Sequence, residues 1–93
     1  MNKLWTDEAW EDFLILHTDK KLLKKLNAIL KDIDRNEYAG IGKPEPLKDN
    51  LYGYWSRRID DYNRIVYRIV EENGKKYVEI LQCGSYNQKL WIG

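Results

Sequence analysis

The hydrophobic period of this chain changes once, from three-and-four to two, and that change constrains its fold class most. Leu22, Leu23, Leu26, Ile29, Leu30 and Ile33 recur at helical spacing, with lysines falling on the opposite face. Arg64 to Val70 alternates instead, with Ile65, Tyr67 and Ile69 on one face and Arg64, Val66, Arg68 and Val70 on the other. Asn73-Gly74 is a strong hairpin signal, and Lys76 to Cys83 reads as the returning strand, with Val78, Ile80 and Gln82 on one side.

The flanking segments complete the pattern. Leu4-Trp5 reads as a short opening strand, and Thr6 as the N-cap of a first helix, with Asp7 and Glu8 at its positive end. That helix runs to about His17, with Trp10, Phe13, Leu14 and His17 along one side. Thr18 or Asp19 caps the second helix. Tyr54 to Ile59 is a strand, and Asp60-Asp61-Tyr62-Asn63 is a turn. The order β-α-α-β-β-β predicts an α+β domain, two N-terminal helices packed on one face of a mostly antiparallel four-stranded sheet. The arginines belong to the other face.

The 93 residues, 43% of them apolar, supply one modest core, so the whole of 1–93 is read as a single domain. The start turns acidic at once without an apolar h-region, and no run approaches the roughly 20 residues of a membrane span. A soluble, cytoplasmic protein with no membrane partner is expected. Cys83 is the one cysteine and His17 the one histidine, too sparse for a metal site, and no cofactor is expected. Cys83 reads as a small buried residue. The lysine run Lys20, Lys21, Lys24 and Lys25 reads first as a solvated helix surface, and second as a contact for ribosomal RNA or an acidic partner.

Residues 36–47 break the helical pattern with two glycines and two prolines and form a connection with its own chemistry. Cleaving RNA without a metal needs a base for the ribose 2′-hydroxyl, cations for the phosphorane and an acid for the leaving oxygen. Glu45, held between Pro44 and Pro46, suits the base. Arg58 and Arg64 can bind phosphate oxygens bidentately, and Lys43 and Lys48 add point charges. A surface salt bridge is the competing reading of Glu45. Arg57 and Arg58 must point to opposite faces, so at most one serves the site while the other covers an edge or binds a partner. Trp10, Phe13 and Trp55 are assigned to the core, and Tyr52, Tyr54 and Tyr62 are candidates for stacking on unpaired bases.

Gly42-Lys43-Pro44-Glu45-Pro46-Leu47-Lys48, Gly53-Tyr54-Trp55-Ser56-Arg57-Arg58-Ile59 and Arg64-Ile65-Val66-Tyr67, together with Leu4-Trp5-Thr6 and Trp10-Glu11-Asp12-Phe13, closely resemble the YoeB/Txe family of bacterial toxins. The resemblance spans about Leu4 to Cys83. It implies a RelE-like fold and an mRNA interferase acting on mRNA in the ribosomal A site, silenced by a YefM-type antitoxin, and relatives suggest a homodimer. By position, Glu45 matches the general base, Arg58 the arginine stabilising the transition state, and Lys48 and Arg64 the supporting basic residues.

The carboxyl end departs from that pattern. The family usually ends in His-Tyr, its histidine the general acid, whereas this chain reads Cys83-Gly84-Ser85-Tyr86-Asn87 and has no histidine after His17. The preferred alignment puts Ser85 at the histidine and Tyr86 at the tyrosine; an alternative puts Tyr86 and Asn87 there. Ser85 and Asn87 are thus RNA-binding candidates, and Tyr86 is the candidate proton donor, less well tuned than imidazole. Losing a general acid typically costs about 10²–10⁴-fold in rate. Some RelE relatives nevertheless cut with arginine, lysine and tyrosine, so the resemblance leaves two readings, an active nuclease and a weakened relative that binds ribosome or antitoxin. A ribosome-independent ribonuclease ranks third. The tail 87–93 is atypical, ending in Leu90-Trp91-Ile92, and can pair along the sheet, pack on the helices or form a dimer contact.

Overall fold

The computed structural model describes residues 1–85. Strand β1 (Asn2–Trp5) leads into α1 (Asp7–Leu16) and α2 (Lys20–Arg35), followed by β2 (Glu45–Pro46), β3 (Trp55–Arg58), β4 (Arg64–Glu72) and β5 (Lys75–Gln82). The caps are those expected. Thr6 Oγ1 accepts from the Ala9 N–H (3.1 Å) and donates to the Leu81 carbonyl (3.0 Å), tying the start of α1 to β5. Asp19 Oδ1 accepts from the Lys21 and Leu22 N–H groups at 3.0 and 3.2 Å.

The strands form one five-stranded sheet in the order β1-β5-β4-β3-β2, rather than the four strands expected. The added strand is β2, whose Glu45 pairs with Ser56 and Pro46 with Trp55. Proline is admissible there because β2 lies at the sheet edge, where its missing N–H costs no ladder bond. The Leu47 N–H then donates to the Tyr54 carbonyl (3.0 Å), carrying the ladder one step further. β1 pairs with β5 in parallel and all other pairs are antiparallel.

Leu26, Ile29 and Ile33 of α2 share one core with Ile65, Tyr67, Val78 and Ile80, as the two periods require. The lysines of α2 are exposed. Helix α1 differs from expectation. Its buried positions are Ala9, Asp12 and Leu16, while Leu14 and His17 are exposed and Trp10 is 46% exposed. Close approach to β5 decides this. The Cys83 N–H donates to Asp12 Oδ2 (3.2 Å) and Cys83 Sγ lies 3.5 Å from the Ala9 carbonyl, contacts that a bulky side chain would prevent. Burial, aided by Asp12, pushes the Cys83 thiol up to about 12, so the lone cysteine is a buried structural residue. Trp10 instead stacks on Phe13, with Trp5 at its edge, beside the core rather than in it. Phe13 and Trp55 are partly buried against that core.

Candidate active site

Two neighbouring arginines of β3 divide the work. Arg57 faces the helices and is fully buried, neither covering an edge nor left for a partner as the sequence suggested. Its Nε donates to the Tyr67 hydroxyl (3.0 Å), Nη1 to Asp32 Oδ2 (2.6 Å) and the Ile41 carbonyl (3.2 Å), and Nη2 to the Asn36 and Glu37 carbonyls. A planar guanidinium offers five donors, and here they collect α2, β4 and the connecting loop around one charge. The hydrogen bond from Arg57 holds the Asp32 carboxyl below its ordinary range, with the Ile41 N–H and Asn36 amide adding to the effect.

Wrapping the loop so tightly needs glycine at two positions. A Cβ on Gly40 (φ +99°) would lie 1.9 Å from Asp32 Oδ2, and one on Gly42 (φ +83°) 3.0 Å from the Arg58 carbonyl. Gly40→Ala is therefore expected to destabilise the protein by roughly 3 kcal/mol, combining left-handed strain with a clash. Gly53→Ala, at φ +98° with nothing within 4 Å, carries the backbone strain alone, about 1 kcal/mol. Urea unfolding of the two variants checks the difference; equal losses would remove the clash from the explanation.

The loop delivers Glu45 to the other face. The Gly42 carbonyl accepts the Arg58 N–H (2.6 Å), and Lys43 takes a left-handed φ of 51° just before Pro44. Glu45, Ser56 and Val66 then form one cross-strand row, and Arg58 pairs directly with Arg64 in the next. Like charges directly opposite each other on a sheet repel. Glu45 Oε1 accepts from Arg64 Nη1 (3.0 Å) and offsets one of the two charges, while Arg58 is exposed with no ion pair among the described residues. Arg58 thus keeps an exposed guanidinium directly opposite Arg64, an arrangement that a phosphate dianion or diester would relieve.

Lys43 and Lys48 are exposed on either side of β2. The Arg64 N–H donates to the Gly84 carbonyl (2.9 Å) and Ser85 bridges Asn63, so Ser85 lies beside the start of β4. Asp60 Oδ1 accepts from the Tyr62 and Asn63 N–H groups (2.8 and 2.7 Å), fixing the turn that precedes Arg64. Tyr86 and Asn87, with the tail, lie outside the described residues. Tyr52 and Tyr62 are 86% and 75% exposed, as stacking on bases would need. Tyr54 is not available in the same way. Its hydroxyl donates to Glu79 Oε1 (2.8 Å), and Arg68 binds that same oxygen (2.7 Å) while lying over the tyrosine ring. Burial and then Glu79 push the Tyr54 hydroxyl up.

Sequence reasoning missed the part played by Arg57, because three of its acceptors are backbone carbonyls that no side-chain pattern marks. It also missed the burial of Val66, Ser56 and Gln82. Val66 does lie on the arginine face, opposite Ser56, but it is buried there, with Gln82 set beside it by the β4–β5 register shift at Val66/Tyr67.

Residues 5–86 match the model of the YoeB-like toxin of bacterial type II toxin–antitoxin systems. The chain is 47% identical over 74 residues to the toxin YoeB of Escherichia coli O6:H1, covering 78% of this chain and 88% of that one. A YoeB/ParE toxin structure from Agrobacterium tumefaciens superposes with a TM-score of 0.86 at 38% identity, covering 92% and 99% of the two chains. YoeB of Staphylococcus aureus, solved as a dimer and in a heterotetrameric complex with YefM, superposes at a TM-score of 0.80, with 44% and 42% identity, covering 92% of this chain and 97% of that one.

Proposed function

The chain belongs to the YoeB-like toxins of bacterial type II toxin–antitoxin systems, and from that premise we propose that it is a cytoplasmic endoribonuclease cutting mRNA in the ribosomal A site. The adjacency of Arg58 and Arg64 on one sheet face, with Glu45 bonded to Arg64, carries this reading. Glu45 takes the proton of the ribose 2′-hydroxyl, whose oxygen attacks the neighbouring phosphorus. Arg58 and Arg64 bind the phosphorane oxygens, which gain negative charge as the bond forms. Lys43 and Lys48 hold the flanking backbone, Ser85 and Asn87 contact the RNA, and Tyr86 gives its proton to the departing 5′-oxygen. No metal is required. Much of the rate comes from the ribosome, which fixes the message against the exposed Glu45 and Arg58.

S. aureus YoeB has been solved with YefM and as a dimer, and this chain is proposed to pair likewise with a YefM-type antitoxin and with itself. Inducing the chain in a bacterium and mapping transcript ends tests the nuclease reading. Cuts within codons of translated messages are expected, and intact messages at good expression would contradict it. Serine at the position of the family's usual histidine favours a second reading, a weakened relative that binds without cutting efficiently. That reading requires Ser85→His to create cleavage where the natural chain shows none, and it fails if the natural chain already cuts as fast.

A further inference from the structure

Ser56 is fully buried, and its hydroxyl has no hydrogen-bond partner among the described residues. A buried hydroxyl without a partner costs stability, so its retention needs a reason. Alanine would fill nearly the same space without that cost. The reason lies in its neighbours. Ser56 is the direct cross-strand partner of Glu45, and two residues further along β3, on the same face, stands Arg58. Directly opposed Cβ atoms lie about 4.5–5.5 Å apart, so a Glu45 carboxylate released from Arg64 can reach the Ser56 hydroxyl by a change of side-chain rotamer. The other unpartnered buried atom, Gln82 Oε1, can only accept and cannot serve a carboxylate.

We propose that Ser56 is a positioning residue for Glu45, an inference that rests on the nuclease reading above. In the free protein Glu45 Oε1 is held by Arg64. An incoming phosphate competes for that guanidinium, and Glu45 then loses the donor that fixes its direction. The released Glu45 carboxylate can then swing toward Ser56, whose hydroxyl rotates to donate to one carboxylate oxygen while the other faces the 2′-hydroxyl. No bond to Ser56 forms or breaks. Its contribution is to orient the base once Arg64 has turned to the phosphate.

The test compares wild type, Ser56→Ala and Ser56→Thr in single-turnover cleavage of a defined message on purified ribosomes, with melting temperature measured alongside. Ser56→Ala is expected to lower the cleavage rate roughly 10- to 100-fold, the loss typical of a hydrogen bond to a charged group. The half-saturating toxin concentration should not change, and the melting temperature should hold or rise. Ser56→Thr, which keeps the hydroxyl, should recover more of the rate than its melting temperature alone would suggest. A Ser56→Ala rate within twofold of wild type overturns this inference while leaving the nuclease reading intact. So does a loss of rate that follows a loss of folded protein. Wild type that leaves the message whole overturns both.

Discussion

Glu45→Ala is expected to slow cleavage of ribosome-bound message about 10²–10⁴-fold, the usual worth of a general base. Its effect on stability should be small, because the Glu45 side chain is 57% exposed and its bond to Arg64 is a surface pair worth less than about 1 kcal/mol. Arg58→Ala should produce a comparable fall in rate by a different route, removing a cation from the phosphorane. Its effect on stability should be nil or slightly favourable, since it ends the repulsion between Arg58 and Arg64. Arg58→Lys should recover little, because an ammonium cannot bind two phosphate oxygens in the same plane. Circular dichroism melts beside cleavage rates separate the two effects. A variant that lost rate only in proportion to its folded fraction would remove the residue from the site.

Arg57→Leu, one position earlier, should do the reverse. Leucine occupies part of the volume but removes the guanidinium donors from the Asn36 and Ile41 carbonyls and from Asp32, and leaves the loop tied to β4 and α2 by the Tyr67 hydroxyl on the Glu37 carbonyl and the Ile41 N–H on Asp32. Losing the hydrogen bonds of a fully buried guanidinium is expected, in a domain of this size, to lower the melting temperature by more than about 10 °C. The Arg57–Asp32 pair also makes stability fall in acid. The folded Asp32 carboxyl sits below its ordinary value of 3.8, so its contribution is complete above that pH and is lost as pH falls through the folded value. Asp32→Asn should flatten this part of the acid limb while lowering stability at neutral pH. An Arg57→Leu protein melting within a few degrees of wild type would show that the loop holds its shape without the guanidinium.

Particular residues mark how far the sequence could be read. The α2 stripe and the β4 alternation sufficed for the fold class, because each element buries one face and its period declares which. The same logic failed for α1, where the face with the larger side chains lost to Ala9 and Asp12. Contact with Cys83 and Gly84 rewards closeness over volume, and a Cβ on Gly84 would stand 2.9 Å from Asp12. Strand β2 was hidden by Pro46 within it and Pro44 just before it, since proline discourages a strand everywhere except at an edge. At the site, Glu45, Arg58 and Arg64 were legible as chemistry and are brought together by register. Arg57 was not, since a residue that binds carbonyls leaves no partner pattern along the chain. Ser56 reads in sequence as an ordinary strand residue, and only burial and pairing give it an interest.

The most direct measurement is single-turnover cleavage of one defined message on purified ribosomes by wild type, Arg57→Leu and Arg58→Ala at a temperature where all three are folded. Arg58→Ala should fall by about 10²-fold or more while Arg57→Leu, once folded, stays far closer to wild type. Equal rates for wild type and Arg58→Ala would contradict the assignment of the arginine face as the RNA-cleaving site.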